Sequence, residues 1–350
     1  MHSLTPEYLS RLSMPPRLIR LVAALTEYRG KQTLWAQTKP EVLKHLRQMA
    51  LIESVESSSR MENVEVRPKA LIRIVRKGAE PAPHDRSQTE LAGYRTALEL
   101  IHKNAAEMPP TVNHVRQLHH ELMRYTPSGG GNYKQASNDI VERDATGATI
   151  RIRLRTVEPA LTETAMFGLH DNLAGALDAG EVEPLLLIPL YIHDFLYIHP
   201  FSDGNGRVAR LMTILLLYRM GFEIGRYISL ERLIEESKAS YYDSLSLSDA
   251  LWATGEHNHV PFTEYLLGIM LAAYRELEES TAIDLEHGAR TRMVERAVES
   301  LPVEFRLADV EKRCPIVGRD TIRSALTKLK NEGKIVSVGR GPAAGWRRIS

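Results

Sequence analysis

Apolar positions follow a helical period along most of the chain. Between residues 41 and 53, Val42, Leu43, Leu46, Met49 and Ala50 fall on one helix face. Residues 1–75 as a whole mix helical stretches with loops, and residues 77–86 (KGAEPAPHDR) have the Pro, Gly and charge content of a loop. The spacing predicts further helices over 89–104 and 112–124, after which Pro127-Ser128-Gly129-Gly130-Gly131 breaks the pattern. Residues 182–198 and 208–220 are apolar on nearly every side, which predicts two buried central helices, the second closed by Gly221.

Two stretches depart from this period. Between residues 138 and 157, Ile150, Ile152 and Leu154 alternate with Arg151, Arg153 and Arg155, the signature of a strand. Ala145-Thr146-Gly147 supplies a turn, and residues 139–143 supply the other arm of a hairpin. The tail reads as three helices, over 291–300, 307–313 and 319–333. Two short strands follow, over 334–338 and 346–349, around a glycine-rich tip, Gly339-Arg340-Gly341-Pro342. Three helices followed by a hairpin is the order of a winged helix. No internal repeat or low-complexity tract is present.

Composition narrows the class. The 350 residues are 43% hydrophobic and 25% charged, enough for one large domain and a small one. The longest apolar stretch, residues 185–191, contains Pro189 and falls far short of the roughly 18 apolar residues of a membrane span. The first residues show no charged region followed by an apolar core, so no secretory signal is read there. One cysteine, Cys314, excludes an intrachain disulfide and a thiolate cluster. A cytoplasmic protein is the expectation. The net charge of +1 hides an asymmetry: residues 290–350 hold 14 Lys/Arg against 7 Asp/Glu, and the remainder is acidic. A basic tail on an acidic body makes DNA a candidate partner of the tail.

The chemistry is concentrated in His199-Pro200-Phe201-Ser202-Asp203-Gly204-Asn205-Gly206-Arg207-Val208-Ala209-Arg210, between the two buried helices. Gly204 and Gly206 admit positive φ, so successive N–H groups can converge on an anion at a helix N-terminus. Arg207 and Arg210 lie three apart and share a helix face near the same anion. Asp203 offers a hard carboxylate suited to Mg²⁺, and His199 can accept a proton at neutral pH. Any one of these residues alone suggests only a buried histidine, a tight turn and a solvated arginine pair; together they describe a nucleoside-triphosphate site.

This segment resembles the signature of the Fic family, H-P-F-x-D/E-G-N-G-R-x-x-R, with every specified position matched, and the resemblance extends over most of residues 51–270. It implies a mainly α fold, a Fic-type helical core with a β-hairpin flap, joined here to a C-terminal winged-helix domain. The expected division is an N-terminal helical region over 1–85, a catalytic domain over 86–280 and the tail domain over 290–350. The resemblance further implies that His199 is the general base, that Phe201 packs beneath the loop, and that Asp203 holds Mg²⁺. Gly204, Asn205 and Gly206 would cradle the phosphates of ATP, with Arg207 and Arg210 at their far end. AMP would pass to a hydroxyl on a target protein. The Gly-Asn-Gly-Arg form looks like the adenylyl-transferring branch of the family rather than its phosphotransferase toxins.

Three peripheral features follow from the same resemblance. The hairpin at Ile150, Ile152 and Leu154 lies where the family places its flap, on which a target segment pairs as an added strand; an ordinary surface hairpin is the plainer reading. Tyr242 and Leu245 look like adenine-pocket residues, although Asp249 stands where an Asn often follows, and Tyr241 and Tyr242 also suit a core. Ser58-Ser59-Arg60-Met61-Glu62-Asn63 fits the family's inhibitory pattern, in which Glu62 pairs with Arg210, while Ser59 and Glu62 also fit a capping box at a helix start. Removal of AMP by the same site, and dimer formation through the apolar N-terminal helices, are further expectations.

Two other classes compete. One is a regulator whose output is DNA binding through Arg319, Arg323, Thr327 and Lys330 on a recognition helix, with Arg340, Arg347 and Arg348 on the wing; a winged helix also serves as a protein-docking module. The other is a metal-dependent phosphohydrolase built from His193, Asp194, His199 and Asp203, which leaves the glycines and both arginines unexplained. His119, His120, His257 and His259 read as surface or helix-packing residues.

Overall fold

Prolines open many of the helices, at the first helical position, where a missing N–H loses no hydrogen bond. In the computed structural model, which describes every residue except 1, 77, 83, 128, 144–148, 283–288, 315–316, 340–344 and 350, such starts define α1 (Pro6–Leu9), α2 (Pro16–Thr38), α3 (Pro40–Met61) and α4 (Pro68–Leu71). Side-chain caps open the next two: Asp85 accepts from the Gln88 N–H before α5 (Arg86–Asn104), and Thr111 from the His114 N–H before α6 (Val112–Met123). An antiparallel hairpin follows, β1 (Ile140–Arg143) and β2 (Thr149–Leu154). Then come α7 (Pro159–Ala179), α8 (Pro184–Ile198), α9 (Asn205–Arg219), α10 (Leu230–Glu236), α11 (Lys238–Asp249) and α12 (Val260–Ala282). The expected hairpin turn, residues 145–147, lies outside the described residues.

The chain forms two compact units, one of Met1–Thr38 with Leu46–Leu277 and one of Lys39–His45 with Glu278–Ser350. In the first, α8 and α9 are central and pack on each other, with α5, α6 and α7 laid against them. Their sequences explain the position. Leu185 to Phe195 are buried without interruption in α8, and Val208 to Tyr218 in α9, so neither helix has a face to give to water. At about 1.5–3 kcal/mol for each large side chain taken from water, this pair supplies much of the driving force for folding. The consequence for function is geometric: the turn between α8 and α9 is mounted on two helices buried along most of their length.

The second unit contains α13 (Ala289–Ser300), β3 (Glu304–Phe305), α14 (Leu307–Arg313), α15 (Arg319–Asn331), β4 (Ile335–Val338) and β5 (Gly345–Arg348). Its sheet is antiparallel in the order β3-β5-β4. The sequence pattern predicts the hairpin but not β3, which is two residues long and pairs Phe305 with Trp346. Val294, Val298, Phe305, Val310, Ile322, Leu326 and Leu329 form the core. Arg340 and most of the glycine-rich tip lie outside the described residues. Among the described residues, no helix is long and apolar enough to cross a membrane.

Candidate active site

Helix α8 ends because His199 adopts the left-handed conformation, φ 51° and ψ 59°, a region that residues other than glycine seldom occupy. Its Nδ1 lies 3.1 Å from the Leu196 carbonyl. A carbonyl only accepts, so Nδ1 carries the proton and Nε2 the free lone pair. Burial lowers the pKa of His199 below 6.5, and although the Leu196 hydrogen bond and nearby Glu62 and Asp203 oppose this, the ring is neutral at physiological pH. A neutral imidazole with a free Nε2 is equipped to remove a proton from a hydroxyl.

Phe201, fully buried, lies beneath the turn, its ring stacked on His119 at 3.7 Å. Phe201 therefore braces the loop from below and does not line it. His119 braces it a second time. Its Nε2 donates to the Asp203 carbonyl at 3.1 Å while Nδ1 accepts from the Gly131 N–H at 2.8 Å, and burial lowers its pKa to about 4. Asn205 is also a brace: its side chain pairs with the Phe201 N–H and carbonyl at 2.9 and 2.6 Å, so only its backbone is left for an anion.

The two glycines act differently from each other. Gly204 has φ 80° and caps α9, as the pattern predicts. Gly206 corrects that pattern, because it is helical with no positive φ. What it requires is space: a Cβ there would lie 3.0 Å from Glu62 Oε1 and 3.4 Å from Arg210 Nη1. Asp203 stands at the rim, its side chain 63% exposed; Oδ1 accepts from the Gly204 N–H and Oδ2 meets Arg207 at 3.2 Å.

Both arginines are buried, and each holds a carboxylate from a distant element. Arg207 donates to Glu90 of α5 at 3.0 Å. Arg210 donates to Glu62 Oε1 at 2.8 Å, to Ser58 Oγ at 3.1 and 3.0 Å, and to the Ser58 carbonyl at 3.2 Å. Burial opposes ionisation of Glu62, but Arg210 and Arg207 together hold its pKa below the usual value. The capping-box reading of Ser59 and Glu62 is corrected here: α3 ends at Met61, so the pair closes a helix and does not open one. Asn63 follows with φ 58°, which explains the small polar residue at that position.

The three apolar residues of the hairpin strand are not equally placed. Ile150 and Ile152 are 60% and 46% exposed, whereas Leu154 is buried. Bulges between Ile140 and Val141 and between Glu142 and Arg143 break the register, so the three residues do not form one exposed row. The strand is tied down by Arg153, which lies 5.5 Å over the Tyr242 ring and donates to its carbonyl at 3.1 Å. Tyr242 is half-buried and feels the charges of Glu62 and Arg210; Leu245 is buried below it. Asp249 pairs with His193 Nε2 at 3.1 Å.

The phosphohydrolase constellation is not assembled. Asp194 is buried inside α8, accepting from Ser3 N–H and Oγ and from Trp252 Nε1. Ser3 Oγ also meets His257 Nε2 at 2.8 Å. His193, Asp194 and His257 lie close enough together to hold a metal, but Asp194 already accepts three hydrogen bonds, and neither His199 nor Asp203 belongs to the group. His257 and His259 are buried rather than superficial. Glu90 and His119 are site residues that no local spacing marks, since each comes from a different helix.

Residues 109–217 match the model of the Fic/DOC family. The chain is 29% identical over 128 residues to a Fido domain-containing protein of Dictyostelium discoideum, spanning 82% of it and 37% of this chain. It is 26% identical over 149 residues, 42% of this chain, to the protein adenylyltransferase Fic of Nematostella vectensis, and spans about a third (32%) of that relative. Among solved structures, a Fic family protein from Desulfovibrio desulfuricans G20 superposes with a TM-score of 0.63 at 22% identity, covering 96% of this chain and 97% of that one. A Fic domain-containing signaling protein from Bacteroides thetaiotaomicron gives 0.61 at 22%, covering 74% and 97%. The fold is accordingly a mainly helical Fic fold, and the turn from His199 to Arg210 lies within the segment, residues 109–217, that matches the Fic/DOC family model.

Proposed function

We propose that the protein transfers AMP from ATP to a hydroxyl of a target protein, and that Glu62 restrains it. The observation that carries the reading is the neutral imidazole of His199 at the edge of a turn whose helix N-terminus and two buried arginines suit a polyphosphate. His199 Nε2 takes the proton of the incoming hydroxyl. The oxygen attacks the α-phosphorus, the bond from that phosphorus to the oxygen bridging to the β-phosphate breaks, and pyrophosphate leaves. The backbone of Gly204, Asn205 and Gly206, at the helix start, stabilises charge on the phosphates, with Arg207 behind it. The exposed Asp203 carboxylate is of the kind that takes Mg²⁺, which would neutralise phosphate charge when bound. Tyr242 and Leu245 offer an apolar side to the adenine.

Restraint follows from the charge balance. While Arg210 is held by Glu62 and Ser58 it cannot turn its guanidinium to the γ-phosphate, so bound ATP lacks its alignment. The same carboxylate near His199 suits removal of AMP by a water. The relatives' names support adenylyl transfer at the level of the family. The test is incubation of wild type, Glu62→Gly and His199→Ala with ATP labelled in the α-phosphate and, in parallel, in the γ-phosphate, followed by mapping of modified residues. Label from α-phosphate and none from γ-phosphate, absent in His199→Ala, is the expected result; γ-label on protein refutes the reading.

A second output is proposed for the tail. Helix α15 buries Ile322, Ala325, Leu326 and Leu329 and exposes Arg323, Thr327 and Lys330, the division expected of a winged-helix recognition helix on DNA. Several neighbouring cations are already paired, Arg319 with Glu311, Lys328 with Glu295 and Arg347 with Glu304. Electrostatic attraction to phosphates is correspondingly reduced.

A further inference from the structure

Four successive carbonyls of the catalytic turn accept hydrogen bonds from only two residues of the segment that leads into the hairpin. Lys134 Nζ donates to Ile198 O at 3.0 Å, and the Lys134 N–H to Pro200 O at 2.9 Å. Asn138 Nδ2 donates to His199 O at 3.1 Å and to Phe201 O at 2.7 Å. The pattern alternates, lysine, asparagine, lysine, asparagine, so the turn is gripped continuously from the end of α8 to Phe201.

Lys134 is only 1% exposed, and its ammonium group has three protons for three oxygens. The two besides Ile198 O belong to Asn138 Oδ1 at 2.8 Å and Thr156 Oγ1 at 2.9 Å, and Thr156 Oγ1 donates in turn to Asn138 Oδ1 at 2.9 Å. Asn138 stands two residues before β1 and Thr156 two residues after β2, so the network also closes the base of the hairpin. Burial lowers the Lys134 pKa to about 8, with Asp139 and Glu158 opposing, which keeps the amine charged at neutral pH. A buried ammonium group is a costly way to join two segments, since neutral partners would serve. It sits where a cation is favoured, at the carbonyl end of α8.

We propose that Lys134 and Asn138 are positioning residues for His199, fixing its left-handed backbone and making the hairpin part of the same mount. A strand laid on β2 is then registered to the imidazole through Thr156, Asn138 and Lys134. The inference rests on the transferase reading, in which the hairpin receives the target. It adds to that reading the path by which the hairpin and the base act as one body.

The test uses the full chain in a Glu62→Gly background. Lys134→Met keeps the length and apolar stem but removes all three donors; Thr156→Val removes one acceptor with little change in shape. For Lys134→Met, kcat for AMP transfer falls about 100-fold, the scale of a misplaced catalytic group, while the KM for ATP stays within about twofold. Thr156→Val moves kcat the same way by less, and carries the measurement if Lys134→Met does not fold. A second readout needs no turnover. In ¹³C-histidine spectra the His199 imidazole titrates at higher pH in Lys134→Met, because the ammonium group disfavours the imidazolium. Unchanged kcat, a KM that rises in step as kcat falls, or an unmoved His199 titration overturns the proposal. If the Glu62→Gly parent labels no protein, the transferase reading fails and the titration still decides the clamp.

Discussion

Arg210 and Glu62, 148 positions apart in sequence, meet at 2.8 Å. Arg210 is 4% exposed at its side chain and Glu62 33%, so water reaches the acid more readily than the base. The end of α3 is thus held to α9 by a contact whose carboxylate is partly open to solvent and whose guanidinium is not.

Under the restraint proposed above, removing that carboxylate releases the site. Glu62→Gly raises the initial rate of AMP incorporation at least about tenfold, the equivalent of one charged hydrogen bond. Ser58→Ala gives a smaller rise, because Glu62 still holds Arg210. Rates no higher in Glu62→Gly than in wild type would remove the carboxylate from the account of restraint.

The pH dependence has a defined sign. The His199 pKa is lowered, so the base is unprotonated through neutrality, and activity is lost only as pH drops through a value below 6.5. Glu62 raises that value, so Glu62→Gly shifts the acid limb lower still. The logarithm of kcat/KM against pH, measured in Glu62→Gly, checks this; an acid limb centred above 6.5 contradicts it.

Glu90 is predicted to matter for stability more than its helix position suggests. Glu90→Ala strands the Arg207 guanidinium, 3% exposed, with the exposed Asp203 as its remaining ion pair among the described residues, a loss of about 3–5 kcal/mol. Glu90→Gln, which keeps an acceptor, costs less. Urea unfolding of the two variants gives the comparison.

Truncating the wedge under the turn should harm both fold and chemistry. Phe201→Ala empties a fully buried site and frees the His119 ring, at about 3–5 kcal/mol by the cost of such cavities. Calorimetry reports the first effect and residual transfer at a temperature well below the new midpoint reports the second.

For the tail, Arg323→Glu with Lys330→Glu weakens binding of the full chain to duplex DNA in low salt, and flattens the dependence of affinity on salt. Wild type that binds no duplex at low salt removes DNA from the proposed partners.

The candidate turn is legible because it is contiguous: His199, Asp203, Gly204, Arg207 and Arg210 lie within twelve positions, and local spacing reveals local chemistry. Central helices α8 and α9 were legible for a related reason, since a helix apolar all round has only one place to go. The partners were not legible. Glu90, His119, Lys134 and Asn138 arrive from α5, α6 and the approach to the hairpin, and no periodicity links them to the turn. The burial of Leu154 beside exposed Ile150 and Ile152 is not legible either, because alternation assumes an unbroken register and the strand pairing shifts twice. Gly206 was assigned a conformational role although its reason is the proximity of Glu62, which no one-dimensional pattern contains.

The left-handed backbone of His199 has a further implication. Glycine is the residue most at ease in that conformation, so His199→Gly would relieve the main chain at the moment it deletes the base. That relief opposes the loss of the ring's packing and of its bond to the Leu196 carbonyl, so under the transferase reading proposed above the backbone of the turn and the proton acceptor it carries are separable.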